Sequence, residues 1–356
     1  MTYAGTKHVT LKALLARSIR DLCERNGASL DDSPCPRTFL IVPRTNVPTD
    51  ETGAAAMPED GRGELMDYER QRGCADLWIC KATAGAHGTG IAIRRGAAEA
   101  IKHVDAAYVP QSEGALEGTE DKPWRARRGG RARPQAAWVV QRCIERPLLF
   151  GGRKFDIRAV ALLTHDRRLF WCREFILRLC SEPHSLDDLG EGRGQGTGAS
   201  SPSAERRLGG VHCSPGLSYA TLTQVAADNH FALVSNHCVQ ERSGAYGAFE
   251  PGNERFREDL WRLLLQEFPG NPAAFDRVVG AMKAAVSATI EACGDHLDPR
   301  SDPFRSFQVL GYDFLIGDDL RVYLLGESLK AGPPMLALRW AWSATPPPVS
   351  VPRTQK

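Results

Sequence analysis

The chain has 356 residues, of which 42% are hydrophobic and 25% are charged, so it can bury a sizeable core. Its formal net charge of +2 excludes recognition of a partner by overall charge alone. No stretch of about eighteen apolar residues occurs, and Lys7, His8, Lys12 and Arg17 interrupt the N-terminal segment. We therefore expect a soluble chain without a membrane span or a signal peptide. The 10 cysteines contain no CxxC pair, which argues against a structural zinc site and a thioredoxin-type centre.

Hydrophobic periodicity predicts helices and strands mixed along the chain. In chain order these are a helix at 11–23, strands at 38–42, 77–80, 138–141, 154–163 and 169–175, helices at 253–268 and 272–292, and strands at 309–314 and 321–325. This order favours an α+β fold over a regular βαβ repeat. Exposed or disordered insertions are predicted at 105–134 and 185–215, and a disordered tail at 346–356. The basic run at 125–133 is either a solvated segment or a contact for an acidic partner.

A strand that ends in Lys81 precedes a glycine-rich turn with Gly85, Gly88 and Gly90. Lysine supplies a point charge for phosphate, and glycines let backbone amides approach phosphate oxygens. The turn lacks the GK[ST] ending of a P-loop, so a plain hairpin remains an alternative.

Charged residues alternate along the predicted strand at 154–163. The period of two places Lys154, Asp156 and Arg158 on one face of that strand. Three charges there are costly unless they meet a ligand, a metal or each other. A ligand site is predicted, with a structural ladder of ion pairs as the alternative.

Two carboxylates lie at the ends of the last two predicted strands. Asp313 and Glu327 could hold Mg²⁺, which prefers a few carboxylates together with substrate phosphates. Ordinary surface acids of a hairpin are the alternative.

Four segments, in this order, resemble the tubulin tyrosine ligase family: WICKATAGAHGTGI at 78–91, PLLFGGRKFDIR at 147–158, SNHCVQ at 235–240 and SFQVLGYDF at 306–314. The resemblance runs from about residue 7 to residue 335 and is interrupted at the two insertions. It implies an ATP-grasp fold and ATP-dependent addition of tyrosine to the C-terminal carboxylate of α-tubulin through an acyl phosphate. The AGAHG turn and YGAFEPGNE at 246–254 favour tyrosine. A glutamate or glycine ligase of the same family and a catalytically silent tubulin-binding protein remain alternatives.

The resemblance also implies roles for individual residues. Lysines near the ATP phosphates are matched by Lys12 and Lys81, and the segment that contacts adenine is matched by Gln141, Arg142, Cys143 and Ile144. Lys154 and Asp156 match family residues that line the ATP and acceptor side. Arg158, Arg173 and Arg178 match basic residues that face the acidic tubulin tail or the incoming amino acid. Asn236 and Asp313 match residues near the γ-phosphate and Mg²⁺. The implied cofactors are ATP and Mg²⁺. The implied partners are tubulin and a free amino acid, and we expect a cytoplasmic, cytoskeleton-associated monomer that binds neither nucleic acid nor membranes.

Two departures from the family pattern bear on these expectations. Where the family has Glu-x-Asn at the end of its last core strand, this chain has Gly326, Glu327 and Ser328. A shift of one residue along a strand reverses the direction of a side chain unless a bulge restores it. Either a β-bulge at Gly326 turns Glu327 inward, or the metal ligand is lost.

Only 11 residues precede Lys12, which predicts a truncated N-terminal domain. The expected division is a partial N-terminal lobe at 1–76 and the catalytic region at 77–345.

Overall fold

The computed structural model describes residues 5–43, 60–83, 91–106, 138–186, 230–297 and 307–328. Two antiparallel sheets organise these residues, and helices pack against both. The prediction of a mixed α+β architecture is confirmed.

The smaller sheet has four strands in the order β1-β4-β2-β3. They are β1 (Thr38–Ile41), β2 (Leu77–Ala82), β3 (Ile91–Arg95) and β4 (Trp138–Arg142). Helices α3 (Arg62–Arg72) and α4 (Ala97–Ala106) accompany this sheet, and α4 buries Ala97, Ala100 and Val104 at helical spacing. These residues form one core with Phe39 and Trp78.

The larger sheet has seven strands, with β11-β10-β6-β8-β9 as its main order and β5 and β7 also paired with β6. The strands are β5 (Leu149–Phe150), β6 (Arg153–Thr164), β7 (Leu169–Trp171), β8 (Ile176–Leu179), β9 (Glu254–Phe256), β10 (Phe307–Ile316) and β11 (Val322–Ser328).

The main hydrophobic core joins one face of the larger sheet to helices from both ends of the chain. Phe155, Ile157, Leu177 and Tyr312 belong to it, together with Met282 of the longest helix. The helices from the two ends of the chain are α1 (Lys7–Thr10), α2 (Lys12–Arg25), α7 (Arg257–Glu267) and α8 (Ala274–Ala292). Two short helices, α5 (His230–Leu233) and α6 (His237–Gln240), lie between β8 and β9 in the chain. The alternate residues of β6 are therefore left for the opposite face of the sheet.

Strand β11 contains a bulge. Asp313 pairs with Gly326 and Phe314 pairs with Leu324, so Leu325 is the extra residue on β11. The irregularity lies one residue before Gly326, where a bulge had been considered. Glu327 pairs with Tyr312 in this register.

Most of the predicted helices and strands are confirmed within small shifts of their ends, but the strand predicted at 169–175 ends at Trp171. The helix predicted at 253–268 begins at Arg257, because Glu254–Phe256 form β9 against β8. The first predicted insertion begins with residues 105–106, which belong to α4, and residues 185–186 of the second are described. The remainder of both insertions, and the tail at 346–356, lie outside the described residues. None of the helices in the described ranges is long and apolar enough to cross a bilayer.

Candidate active site

Charged side chains from three neighbouring strands meet on the face of the larger sheet opposite its hydrophobic core. Asp156 of β6 faces Arg178 of β8, and Arg158 of β6 faces Asp313 of β10. Directly opposed residues of antiparallel strands share a face, so the period of two along β6 places these four side chains together. The sequence predicted one face with Lys154, Asp156 and Arg158, and the strand register adds Arg178 and Asp313 to that face.

Arg178 connects the two carboxylates of this cluster. Its guanidinium donates to Asp156 over 2.7 and 2.6 Å, and its Nη2 lies 2.8 Å from Asp313 Oδ1. Arg158 donates to both oxygens of Asp313, with Nη2 at 2.9 Å from Oδ2. Burial alone would raise the pKa of Asp313, but Arg178 and Arg158 hold it below its usual value. The cluster is thus a ladder of ion pairs in this state, and both arginines carry bidentate donors that suit a carboxylate or phosphate.

Three lysines converge beside this ladder. Lys154 is buried on β6 and donates from Nζ to the carbonyl of Leu233 over 2.9 Å. Burial, together with the nearby Lys12 and Lys154, lowers the pKa of Lys81 to about 8. Burial also lowers the pKa of Lys12, while Asp313 opposes that shift. Lys12, Lys154 and Asp313 are thus all near enough to act on the charge of Lys81, and a site of this kind suits an anion with several charges.

Lys81 joins the two sheets across a cleft. Its Nζ donates to Gln141 Oε1 over 2.9 Å and to the carbonyl of Leu325, the bulge residue, over 3.4 Å. The cleft contains about 650 Å³ of open space. Its lining includes Lys12, Cys35, Lys81, Gln141, Leu325 and Gly326. The bulge therefore supplies a backbone acceptor to the lysine that was predicted to contact phosphate.

The segment predicted to contact adenine begins at this cleft. Gln141 is buried, accepts from Lys81 and donates from Nε2 to Thr38 Oγ1 over 3.0 Å. Arg142 pairs with Trp78 in register, and the backbone N–H of Cys143 donates to the carbonyl of Leu77 over 2.7 Å. Ile144 follows directly and is half-buried. The segment is fixed against β2 with Gln141 at the cleft wall.

The described residues at the predicted metal site do not form a metal centre. Arg158 and Arg178 already occupy both oxygens of Asp313, and the residue opposite Asp313 on β11 is Gly326. No group of three His, Cys, Asp or Glu side chains within the described ranges could hold a metal ion. The backbone of Glu327 is described, but its side chain lies outside the described part of the structure. A Cβ added at Gly326 would have no atom within 4 Å, so this position has room for a larger side chain.

Other predicted residues are not part of the ladder. Arg173 is 61% exposed and its nearest ion-pair partner is Glu174, at 3.9 Å. Asn236 precedes α6, and its carbonyl accepts the backbone N–H groups of Val239 and Gln240. Gly85, Gly88 and Gly90 fall outside the described residues.

Two polar groups had no predicted role. Arg153 and Glu250 form a buried bidentate pair at 2.8 and 2.7 Å. His237 contacts both Tyr246 and Glu254. The segment at 246–254 could have indicated these groups, since it places several polar residues in a short stretch next to an edge strand.

The fold and the cleft define a mixed α/β protein in which lysines of both sheets lie near a ladder of arginine–carboxylate pairs. The chain belongs to the tubulin-tyrosine ligase family, whose model matches residues 2–192. The resemblance to this family is thereby confirmed, and the matched residues include the motifs at 78–91 and 147–158.

Curated relatives of the chain carry names of glycine-adding enzymes. Tubulin monoglycylase TTLL3 of Mus musculus is 26% identical over 76% of this chain and 22% of the relative. Protein polyglycylase TTLL10 of Macaca fascicularis is 35% identical over 70% of this chain and 33% of the relative. Inactive polyglycylase TTLL10 of Homo sapiens is 27% identical over 70% of this chain and 30% of the relative. The chain thus spans a third or less of the length of these relatives.

Proposed function

We propose that this chain is an ATP-dependent carboxylate–amine ligase of the ATP-grasp type that joins glycine to an acidic tail of tubulin, in association with the cytoskeleton. The observation that carries the proposal is the cleft lined by Lys12 and Lys81, where burial, Lys12 and Lys154 lower the pKa of Lys81 and Asp313 opposes that shift. Closely spaced lysines suit an anionic ligand with several charges, and a triphosphate is such a ligand.

The cleft residues would contribute charge neutralisation and positioning. Lys81, held by Gln141 and the Leu325 carbonyl, would exchange these neutral acceptors for phosphate oxygens. Arg158 and Arg178 would present planar pairs of donors to the acceptor carboxylate as it becomes an acyl phosphate. No step is assigned to Mg²⁺, because the described residues do not form its site.

Glycine is favoured over tyrosine by the names of the relatives. The first prediction, tyrosine, depended on the AGAHG turn and on residues 246–254, whereas the relatives named above are monoglycylases and polyglycylases. The alternative of a glycine ligase within the same family is therefore the better supported one.

A second candidate function is nucleotide-dependent binding to tubulin without transfer. It is favoured by Gly326, which provides no side-chain ligand opposite Asp313, and by the two arginines that neutralise Asp313. The inactive human relative is named as a member of the same group.

The test is the rate of ADP formation by the purified chain with ATP, Mg²⁺, tubulin dimers and one amino acid at a time. Stimulation by glycine together with tubulin, and a much smaller rate with tyrosine or glutamate, is the expected result. The matched control is Lys81→Ala. If the chain binds ATP but no amino acid raises the rate of ADP formation, the silent binder is favoured. If tyrosine alone raises that rate, the chain is a tyrosine ligase.

A further inference from the structure

Tyr246, His237 and Glu254 form a chain of polar contacts outside the predicted site residues. Tyr246 Oη lies 2.5 Å from His237 Nε2, and Glu254 Oε1 lies 3.8 Å from His237 Nδ1. The three groups surround Gly252, where an added Cβ would lie 3.7 Å from Tyr246 Oη, 3.9 Å from Glu254 Cγ and 4.0 Å from His237 Cε1. The absence of a side chain at Gly252 leaves space over all three.

This polar chain lies beside the β8 side of the charged ladder. Glu254 of β9 is directly opposite Arg178 of β8, which itself faces Asp156 of β6. These three residues therefore share the face of the sheet that carries the candidate active site. Burial raises the pKa of Cys238, the residue next to His237, and Arg178 is one of the cations that oppose this shift. His237 and Tyr246 thus adjoin the arginine that would bind the acceptor or the amino acid.

The protonation pattern of the polar chain follows from its neighbours. The carboxylate of Glu254 near Nδ1 favours the tautomer with a proton on Nδ1, which leaves Nε2 to accept a hydrogen bond from the Tyr246 hydroxyl. Burial, with Glu241 and Glu254, raises the pKa of Tyr246, so the phenol retains its proton at neutral pH. Glu241 is the other acid beside the ring, at 4.0 Å from Nε2, and Arg178 is the cation on the adjacent strand.

We propose that Tyr246 and His237 form a proton relay that deprotonates the incoming amino group before it attacks the activated carboxylate, with Glu254 as the residue that positions His237. The proposal rests on the ligase function proposed above. His237 is 35% exposed and Glu254 is 21% exposed, so a small amine can reach this part of the face from solvent.

The proton movements can be written in full. An amino acid arrives at neutral pH with its amino group as an ammonium, which has no lone pair for attack. One ammonium proton passes to Tyr246 Oη while the phenolic proton passes to His237 Nε2, so the imidazole becomes cationic between Tyr246 and Glu254. The nitrogen lone pair then forms the N–C bond, and the C–O bond to phosphate breaks with its electron pair leaving on phosphate. The second nitrogen proton is lost to phosphate or water, and the imidazolium releases its proton to solvent.

Hydroxylamine separates this step from formation of the acyl phosphate. It is largely unprotonated at neutral pH and attacks an acyl phosphate without a base, giving a hydroxamate. The full chain, with ATP, Mg²⁺ and tubulin, is assayed for glycine transfer and for hydroxamate formation in wild type, Tyr246→Phe and His237→Gln. Tyr68→Phe is the matched control, because that hydroxyl contacts Asp31 and lies away from the ladder.

The relay predicts that both variants lose glycine transfer by about 100-fold, within the range for general acid–base catalysis, while hydroxamate formation stays within about twofold of wild type. The deficit of His237→Gln should shrink as pH rises, because more glycine is then present as the free amine. Equal losses of both products, or unchanged glycine transfer in both variants, would overturn the relay and leave the ligase function standing. A wild type that forms neither product would contradict the ligase function itself, and the relay with it.

Discussion

Replacing Arg178 with Met removes the cation that joins two carboxylates of the candidate active site. The side chain of Arg178 is 11% exposed and that of Asp156 is 5% exposed, so Asp156 would remain buried without a charged partner. Asp313 would keep its bidentate pair with Arg158. The loss of stability is therefore expected to come mainly from Asp156.

Breaking a buried ion pair by removing one partner costs about 3–5 kcal/mol. We expect the lower end, about 3 kcal/mol, because only one of the two carboxylates loses all of its guanidinium contacts. For a chain of 356 residues, with an unfolding entropy of about 2.1 cal/mol/K per residue, that loss corresponds to a decrease of about 4 °C in Tm. Adding Asp156→Asn to Arg178→Met removes the unpaired charge and should recover part of the loss.

The assay is urea and thermal unfolding of wild type, Arg178→Met, the double variant and Arg173→Met. Arg173 serves as the control because it is 61% exposed and its contact with Glu174 is long, so its replacement should change stability by less than about 0.5 kcal/mol. A similar small change for Arg178→Met would refute the view that the ladder stabilises the sheet. It would leave these arginines as ligand-binding groups alone.

Three further predictions concern the cleft. Lys81→Ala should abolish ATP binding detectable by calorimetry. It should change the unfolding free energy by less than about 1 kcal/mol, because burial already disfavours the charged lysine. Retained wild-type affinity for ATP would contradict the role of Lys81 at phosphate. Since the pKa of Lys81 is about 8 without ligand, ATP affinity should fall as pH rises through that value and the lysine loses its charge, and Lys81→Arg should bind with little pH dependence. Gly326→Glu combined with Ser328→Asn should raise the Mg²⁺ dependence of ATP binding by about tenfold, because a side chain at 326 has open space opposite Asp313; an unchanged Mg²⁺ titration would show that the position does not face the nucleotide.

The charged face of β6 could be predicted from the sequence because it depends on a local rule, the alternation of side chains along a strand. The partners of those charges could not be predicted with the same certainty. Arg178 reaches Asp313 because β8 and β10 flank β6, and the register between strands far apart in the chain is set by packing of the whole sheet. The prediction therefore left open whether the charges meet a ligand or each other.

Helix α3 and strand β9 were missed for different physical reasons. Of the residues of α3 (Arg62–Arg72), Leu65 alone is buried, so the helix has no apolar stripe with a 3.6-residue period. Strand β9 has three residues and depends on its pairing with β8. The contact between Tyr246 and His237 lies beside Gly252, a glycine with φ of +65°, and a backbone angle of this kind cannot be read from hydrophobic periodicity.

The bulge in β11 shows a further limit of pattern reasoning. The motif of Gly326, Glu327 and Ser328 indicated an irregular position, and the structure has the extra residue at Leu325. The carbonyl of this residue contacts Lys81 on the other sheet. A contact between two sheets involves the bulge residue, and such a contact is not encoded in the strand sequence alone.

The most direct test of the central proposal is tandem mass spectrometry of tubulin after incubation with the chain, ATP, Mg²⁺ and isotopically labelled glycine or tyrosine. The account predicts labelled glycine in the acidic tail, dependent on ATP and lost with Lys81→Ala. Absence of either label from tubulin, under conditions in which the chain binds ATP, would contradict it.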